Sequence, residues 1–211
     1  MNIERSIQCV RKALTENPQQ NRPDDYIIKL LKISLENNDF SFNNRFYLQI
    51  MGTAMGKRFA PALANLYLLD FDDAAMNNFK IKPLAFLRYL DDIFFLWPTK
   101  HVNELSNFQT FLNNLIPDIH VTLEHSNEQV NFLDVTIFFS NNCLCTKTFF
   151  KPTDTHQLLF KTSHHPKHTF NGLIKSQLIR YKRLSTHKHD YMHRCNILFS
   201  SLKNEATHSL R

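Results

Sequence analysis

RYLDDIFFLW, residues 88–97, sets two adjacent carboxylates, Asp91 and Asp92, between two strongly apolar runs. Read locally it is a strand–turn–strand, with 85–89 and 93–97 extended and the acidic pair at the tip, where Asp is a common turn residue. A structural tip does not by itself call for two like charges side by side, because neighbouring carboxylates repel unless a cation or a hydrogen-bond network offsets them. A divalent metal is one such cation, and Mg2+ prefers hard oxygen ligands. From this stretch alone both readings stand: a hairpin turn, or part of a metal site.

Outward from the hairpin the chain reads as mixed. Towards the amino terminus, MGTAMGKRF is a loop with two of the chain's three glycines, and Pro61 opens one helix, PALANLYLLDFDDAAMNNF. Before it, FSFNNRFYLQI predicts a short hairpin turning at Asn43 and Asn44. Residues 3–16 predict a helix from the spacing of Ile3, Ile7, Val10 and Leu14, followed by a loop. Asp24 or Asp25 is then placed to cap a second helix whose apolar face is Ile27, Leu30, Leu31 and Ile33 or Leu35.

Towards the carboxyl terminus, 101–116 returns to helical spacing through Leu105, Phe108, Phe111, Leu112 and Leu115. Strands are expected at 119–124, 130–139 and 143–150. Beyond Pro152 the chain reads as mostly helical, most firmly at 170–184. This order argues for an α+β fold with helices packed on antiparallel sheet.

Composition narrows the class. Of 211 residues 43% are hydrophobic, enough for a core, and 19 of them are Phe. The four cysteines form neither a CxxC pair nor a zinc-site spacing and read as reduced thiols. With no 18-residue apolar span and an amphipathic start in place of a signal peptide, the expectation is an intracellular protein, of nucleus or cytoplasm, with no membrane partner. Charge is segregated: residues 151–211 hold 11 Lys and Arg against 3 Asp and Glu, whereas 1–150 hold 14 against 16. A basic terminal region suits a polyanion, and a solvated helix face is the plain alternative.

Taken together, QIMGTAMGKRFAPALANLY (49–67), RYLDDIFFLW and VNFLDVTIFF (130–139) carry a resemblance. In this order they resemble the palm of a reverse transcriptase, most closely that of the Penelope-like retroelements, and 147–184 is similar to the segment downstream of that palm. The resemblance implies a partial palm over 1–150, an antiparallel sheet with packed helices, and a basic, mostly helical thumb-like region over 151–211. It implies RNA-directed DNA polymerase chemistry, with an RNA template, a DNA primer and dNTP as partners. Two Mg2+ ions about 3.5 to 4 Å apart would stabilise the attacking and leaving oxygens.

By the same resemblance Asp91 and Asp92 are the catalytic metal ligands, Asp91 the principal one, and Tyr89 lies beside the primer end. Gln49, Met55, Gly56, Pro61 and Asn65 belong to the nucleotide and template motif. Here Met55 stands where many relatives have Gln, as the Penelope-like group tends to. Asn131, Phe132, Leu133 and Asp134 resemble the motif that packs the primer end. Each has a plain alternative. Gln49 and Met55 can be loop packing, Asn65 can bond nearby backbone, and Asp134 can be a structural, paired carboxylate. The second acidic pair, Asp72 and Asp73, reads as a solvated helix face. His164, His165 and His168 flank Pro166 in a basic loop and read as solvated or phosphate-contacting, not as zinc ligands.

The family pattern also calls for a further aspartate on a strand preceding MNIERSIQCVRKAL, and no acidic residue of the chain takes its place. The expectation is thus a shortened reverse transcriptase, without the endonuclease many relatives carry and with little or no polymerase activity by itself. A rival reading drops catalysis. The basic region is then a helix-turn-helix-like nucleic-acid binder, with Lys151, Lys175, Arg180, Lys182 and Arg183 near phosphates. An inactive retroelement relic is the third reading.

Overall fold

The computed structural model describes residues 1–156, 158–159 and 163–208, with side chains described as far as Lys203. Gln157 and residues 160–162, which fall in the helical reading downstream of Pro152, and residues 209–211 lie outside the described residues. The chain is α+β, with small antiparallel sheets and helices in two compact units, Met1–Leu123 and Glu124–Arg211. The division falls at 123/124, before the charge step near 150, so VNFLDVTIFF belongs to the same unit as the basic helices.

In the first unit α1 runs Ile3–Glu16 and starts where the Asn2 side chain accepts the Arg5 N–H at 3.1 Å. α2 covers Asp24–Glu36, and neither aspartate caps it: Asp24 is already helical and its carboxylate is held by Arg22. Its buried face is Ile28 and Leu35, while Leu30 and Ile33 are exposed, so the expected stripe is rotated. β1 (Asp39–Phe42) and β2 (Arg45–Leu48) form the expected hairpin.

The single helix expected from Pro61 is two, α3 (Ala60–Tyr67) and α4 (Leu69–Asn77). The chain breaks at Leu68, whose φ −98° and ψ 3° lie in the bridge region. Tyr67, Phe71 and Ala75, four residues apart, still share a face across that break and are fully buried. α5 (Leu105–Leu115), entered through a 3-10 turn, brings Phe108, Leu112 and Ile116 against them.

β3 (Ala85–Tyr89) and β4 (Asp92–Leu96) close this core by laying Phe86, Ile93, Phe95 and Trp97 on it. The Phe-rich composition acts here: around Phe108 the ring centroids of Trp97, Phe79 and Phe95 lie at 4.8, 5.1 and 5.5 Å. Full burial of one such ring is worth roughly 1.5–3 kcal/mol. Residues 119–124 are not a strand. The Val121 N–H donates to Asn113 Oδ1 at 2.7 Å, and its carbonyl accepts from Gln109 at 3.0 Å, so side-chain amides take the bonds a neighbouring strand would.

The second unit is a three-stranded meander, β5 (Gln129–Phe132), β6 (Val135–Ser140) and β7 (Cys143–Thr148), followed by α6 (Lys167–Leu184) and α7 (Lys188–His208). The single strand expected over 130–139 is therefore a hairpin, folded back at Leu133 and Asp134.

Among the described residues the four hairpins have two-residue loops, in two kinds. Asn43 with Asn44 and Asn141 with Asn142 have φ between 49° and 58°, the type I′ signature that Asn tolerates. The other two tips place leucine in the left-handed region, Leu90 at 56° and Leu133 at 52°. There the side chain costs about 1–2 kcal/mol per residue.

Candidate nucleic-acid interface

Tyr89 and Asp92 face each other as the last pair of the β3–β4 ladder, leaving Leu90 and Asp91 as its loop. Asp91 and Asp92 are exposed, and Tyr89 keeps 60% of its surface. The tip is fastened from behind by a residue to which sequence reasoning gave no role. Arg88 donates from Nε to Asp72 Oδ1 at 2.8 Å and from Nη2 to Asp72 Oδ2 at 2.7 Å. Its Nη1 donates to Asn65 Oδ1 at 3.0 Å and to the Leu90 carbonyl at 2.9 Å.

One guanidinium, its side chain only 8% exposed, thus links α3, α4 and the strained carbonyl at the tip. Asp72 is consequently not part of a solvated acidic face: it neutralises a nearly buried cation. Asn65 spends its amide oxygen on Arg88. An arginine inside an apolar strand was the available signal, since burying that charge demands a carboxylate partner.

The remaining residues of the nucleotide motif fall into two groups. Gln49 uses its amide within the loop, accepting from Asn38 at 2.5 Å and donating to the Met51 carbonyl at 2.8 Å. Pro61 occupies the first turn of α3. Met55 is fully exposed, and Gly56 has φ +90° with open space where a Cβ would sit. That conformation admits glycine without strain.

The second unit has its own leucine–aspartate tip. Asn131 accepts from the Thr136 hydroxyl at 2.7 Å, Phe132 pairs with Val135, Leu133 is 39% exposed, and Asp134 is salt-bridged to Arg180 of α6. Asp134 is thus a paired carboxylate and Arg180 a committed cation. Lys151, Lys175, Lys182 and Arg183 are exposed.

The basic helices are pinned to the sheet. In the 185–187 connection the Thr186 N–H donates to the Thr146 carbonyl at 2.8 Å, and the Thr146 N–H donates to Thr186 Oγ1 at 2.9 Å. The turn between the helices therefore docks on β7 as a short rung of sheet. From α7, Arg194 donates to the Thr148 carbonyl at 2.7 Å and stacks 4.7 Å over Phe150. Phe150 in turn meets Tyr181 of α6 edge-on at 5.9 Å, where burial pushes the Tyr181 phenol pKa up.

α6 carries five Lys and Arg and no Asp or Glu. Lys167, Lys175, Lys182 and Arg183 are exposed, and so is His168. His164 and His165 are exposed as well, and Ser163 Oγ lies 2.7 Å from His165 Nδ1. Among the described residues no three His, Cys, Asp or Glu side chains come together as a metal site, and no helix is long and apolar enough to cross a membrane.

Comparison with known proteins adds one match: residues 157–205 are similar to the animal helix-turn-helix domain. That span takes in α6, the docked turn and most of α7. Curated proteins and solved structures give no match. The chain's similarity to a known family is thus to a helix-turn-helix domain, over the two helices of its basic region.

Proposed function

We propose that this chain binds nucleic acid through its second unit, a helix-turn-helix module whose first helix, α6, engages the phosphate backbone. The observation that carries this reading is the similarity of 157–205 to a helix-turn-helix domain, on a helix pair whose first member has exposed cations and no carboxylate. Phosphate neutralisation releases counterions, so affinity falls with salt at a log–log slope of about −0.9 per contact on duplex DNA. Lys175, Lys182 and Arg183 together give a slope of roughly −2.7. Anisotropy titrations of a labelled duplex against the full chain over a salt series test this. Replacing the three by Gln removes that contribution, and an affinity flat with salt refutes the reading.

A second reading concerns the β3–β4 hairpin, and a specific observation favours it. The YLDD tip keeps a leucine in the left-handed region, held by Arg88, which also holds Asn65 of the preceding motif. Strain of this kind clusters at functional sites. With the resemblance of its motifs to a Penelope-like reverse transcriptase, it supports a role as part of an RNA-directed DNA polymerase acting on an RNA template, a DNA primer and dNTP. Asp91 and Asp92 offer the hard, exposed oxygens that Mg2+ takes together with substrate phosphates. When bound, the metal would stabilise charge on the attacking and leaving oxygens. Primer extension on a primed RNA template tests it: Asp91→Asn abolishes the signal if the hairpin is catalytic, and an unchanged signal excludes that role.

A further inference from the structure

Every residue of β1 and β2 is exposed, and the hairpin they form is a two-stranded sheet with no third strand among the described residues. It carries four aromatic rings: Phe40, Phe42, Phe46 and Tyr47 keep 51, 69, 84 and 42% of their surface. Together they leave on the order of 400–600 Å² of ring in water, the patch size that marks interaction sites. An isolated two-stranded hairpin is marginal in water, and a third or fourth strand makes a sheet stable.

The register decides where a further strand adds. The Gln49 N–H donates to the Asn38 carbonyl at 2.9 Å, so the alternation of the ladder makes Phe40 with Tyr47 and Phe42 with Arg45 the bonded pairs. The N–H and C=O groups of Phe46 and Leu48 then point outward from β2, and those of Asp39 and Ser41 outward from β1. Charge separates the two edges. Asp39 guards β1, as charged residues commonly guard a free edge. The outward residues of β2 are both apolar, Phe46 84% and Leu48 56% exposed.

We infer that this edge is an interface between two copies of the chain, in which β2 pairs antiparallel with β2 of a second copy about a two-fold axis at Tyr47. Phe46 of one copy faces Leu48 of the other and exchanges two N–H···O bonds with it, so four bonds close the seam. Tyr47 faces its own counterpart. Phe40 and Tyr47, already stacked at 5.5 Å, extend into a row of four rings across a four-stranded sheet. No like charges meet in this register, because Arg45 falls opposite Gln49. The two strands carry one Asp and one Arg, a balance that draws neither a polyanion nor a charged peptide and suits a self-complementary contact. An edge seam covers only part of the exposed rings, so the dimer belongs to the small, concentration-dependent class.

Sedimentation of the full chain over a micromolar concentration series tests this. The wild type is expected to move towards twice its 24.9 kDa as concentration rises. Phe46→Lys, at a ring already 84% exposed, stays at the monomer mass, and Ser41→Lys on the other edge dimerises as the wild type does. Position 47 gives a second readout, since a non-hydrogen-bonded pair brings its two Cα atoms to about 4.5 Å, within disulfide reach. With the exposed Cys143 replaced by Ser, oxidised Tyr47→Cys is expected to give a disulfide between two chains that maps to residue 47, and Arg45→Cys is not. A wild type monomeric throughout, a dimer that Phe46→Lys leaves intact or that Ser41→Lys dissolves, or the absence of the residue-47 disulfide overturns the inference. A monomer whose 45–48 amides are protected from exchange only by a single-stranded oligonucleotide assigns the rings to stacked bases and overturns it as well.

Discussion

Arg88 grips Asp72 with two parallel N–H···O bonds of 2.8 and 2.7 Å while donating from its third nitrogen to the Leu90 carbonyl. The geometry is the bidentate fork that only arginine makes. It turns an isolated ribbon into a tip that is registered against two helices, and it sets the backbone on which Asp91 and Asp92 stand.

Removing one side of this pair leaves the other charge partly stranded. Arg88→Ala is expected to cost about 2 kcal/mol, below the 3–5 typical of fully buried pairs because Asp72 is about one-quarter exposed. Arg88→Lys recovers less than half, since a point charge cannot form the fork. Urea unfolding of both variants, closed into a double-mutant cycle with Asp72→Ala, measures the coupling; a coupling near zero shows that the contact is ornamental.

The two kinds of hairpin tip respond oppositely to substitution. Leu133→Gly removes the left-handed penalty of about 1–2 kcal/mol, offset by the 0.5–1 kcal/mol that glycine loses in entropy. The expected result is a gain of up to about 1.5 kcal/mol. Asn142→Ala keeps a Cβ at φ 58° but gives up the greater tolerance of Asn for the left-handed region, and loses about 1 kcal/mol. Thermal unfolding ranks the pair, and a destabilised Leu133→Gly would mean that the leucine side chain outweighs its backbone strain.

Thr186 ties the inter-helix turn to β7. Thr186→Val keeps the shape and deletes the acceptor of the Thr146 N–H, which costs about 0.5–1 kcal/mol at this exposed position. Hydrogen exchange reads it locally: the Thr146 amide exchanges faster in the variant while the amides of α1 do not change.

The four thiols separate by exposure. Cys143 is open to solvent and Cys145 and Cys195 are buried. Cys9 is intermediate, and burial pushes its thiol pKa above the usual value, so its reactive thiolate is scarcer at a given pH. A thiol-reactive chromophore at pH 8 should label Cys143 rapidly, Cys9 slowly and the other two only after denaturation. Mass mapping of the first adduct to any residue but Cys143 contradicts the structure.

Much of the local fold is legible in the residues. Helical periodicity marks α1, α5 and α6, the Asn pair at 43 and 44 announces its turn, and Pro61 marks the start of α3. These signals are short-range: spacing, φ preference and a missing N–H act within a few residues. What failed needed partners distant in sequence. Residues 119–124 have strand composition, yet Asn113 and Gln109 take the N–H and carbonyl of Val121 at their centre. The 130–139 run looks continuous, yet it folds at Leu133, a residue no turn rule would place at positive φ.

The candidate sites divide in the same way. The sequence by itself determined which residue types are available: two adjacent carboxylates between apolar runs, and a carboxyl-terminal region rich in Lys, Arg and His. Only the tertiary structure decided which of them are spoken for. Asp72 and Asp134 are consumed by Arg88 and Arg180, Asn65 joins the first of these pairs, and Asp91, Asp92, Lys175, Lys182 and Arg183 are left to solvent. The physical reason is that a charge is neutralised by whatever opposite charge the fold brings within a few ångströms, and that distance is not written in the local sequence.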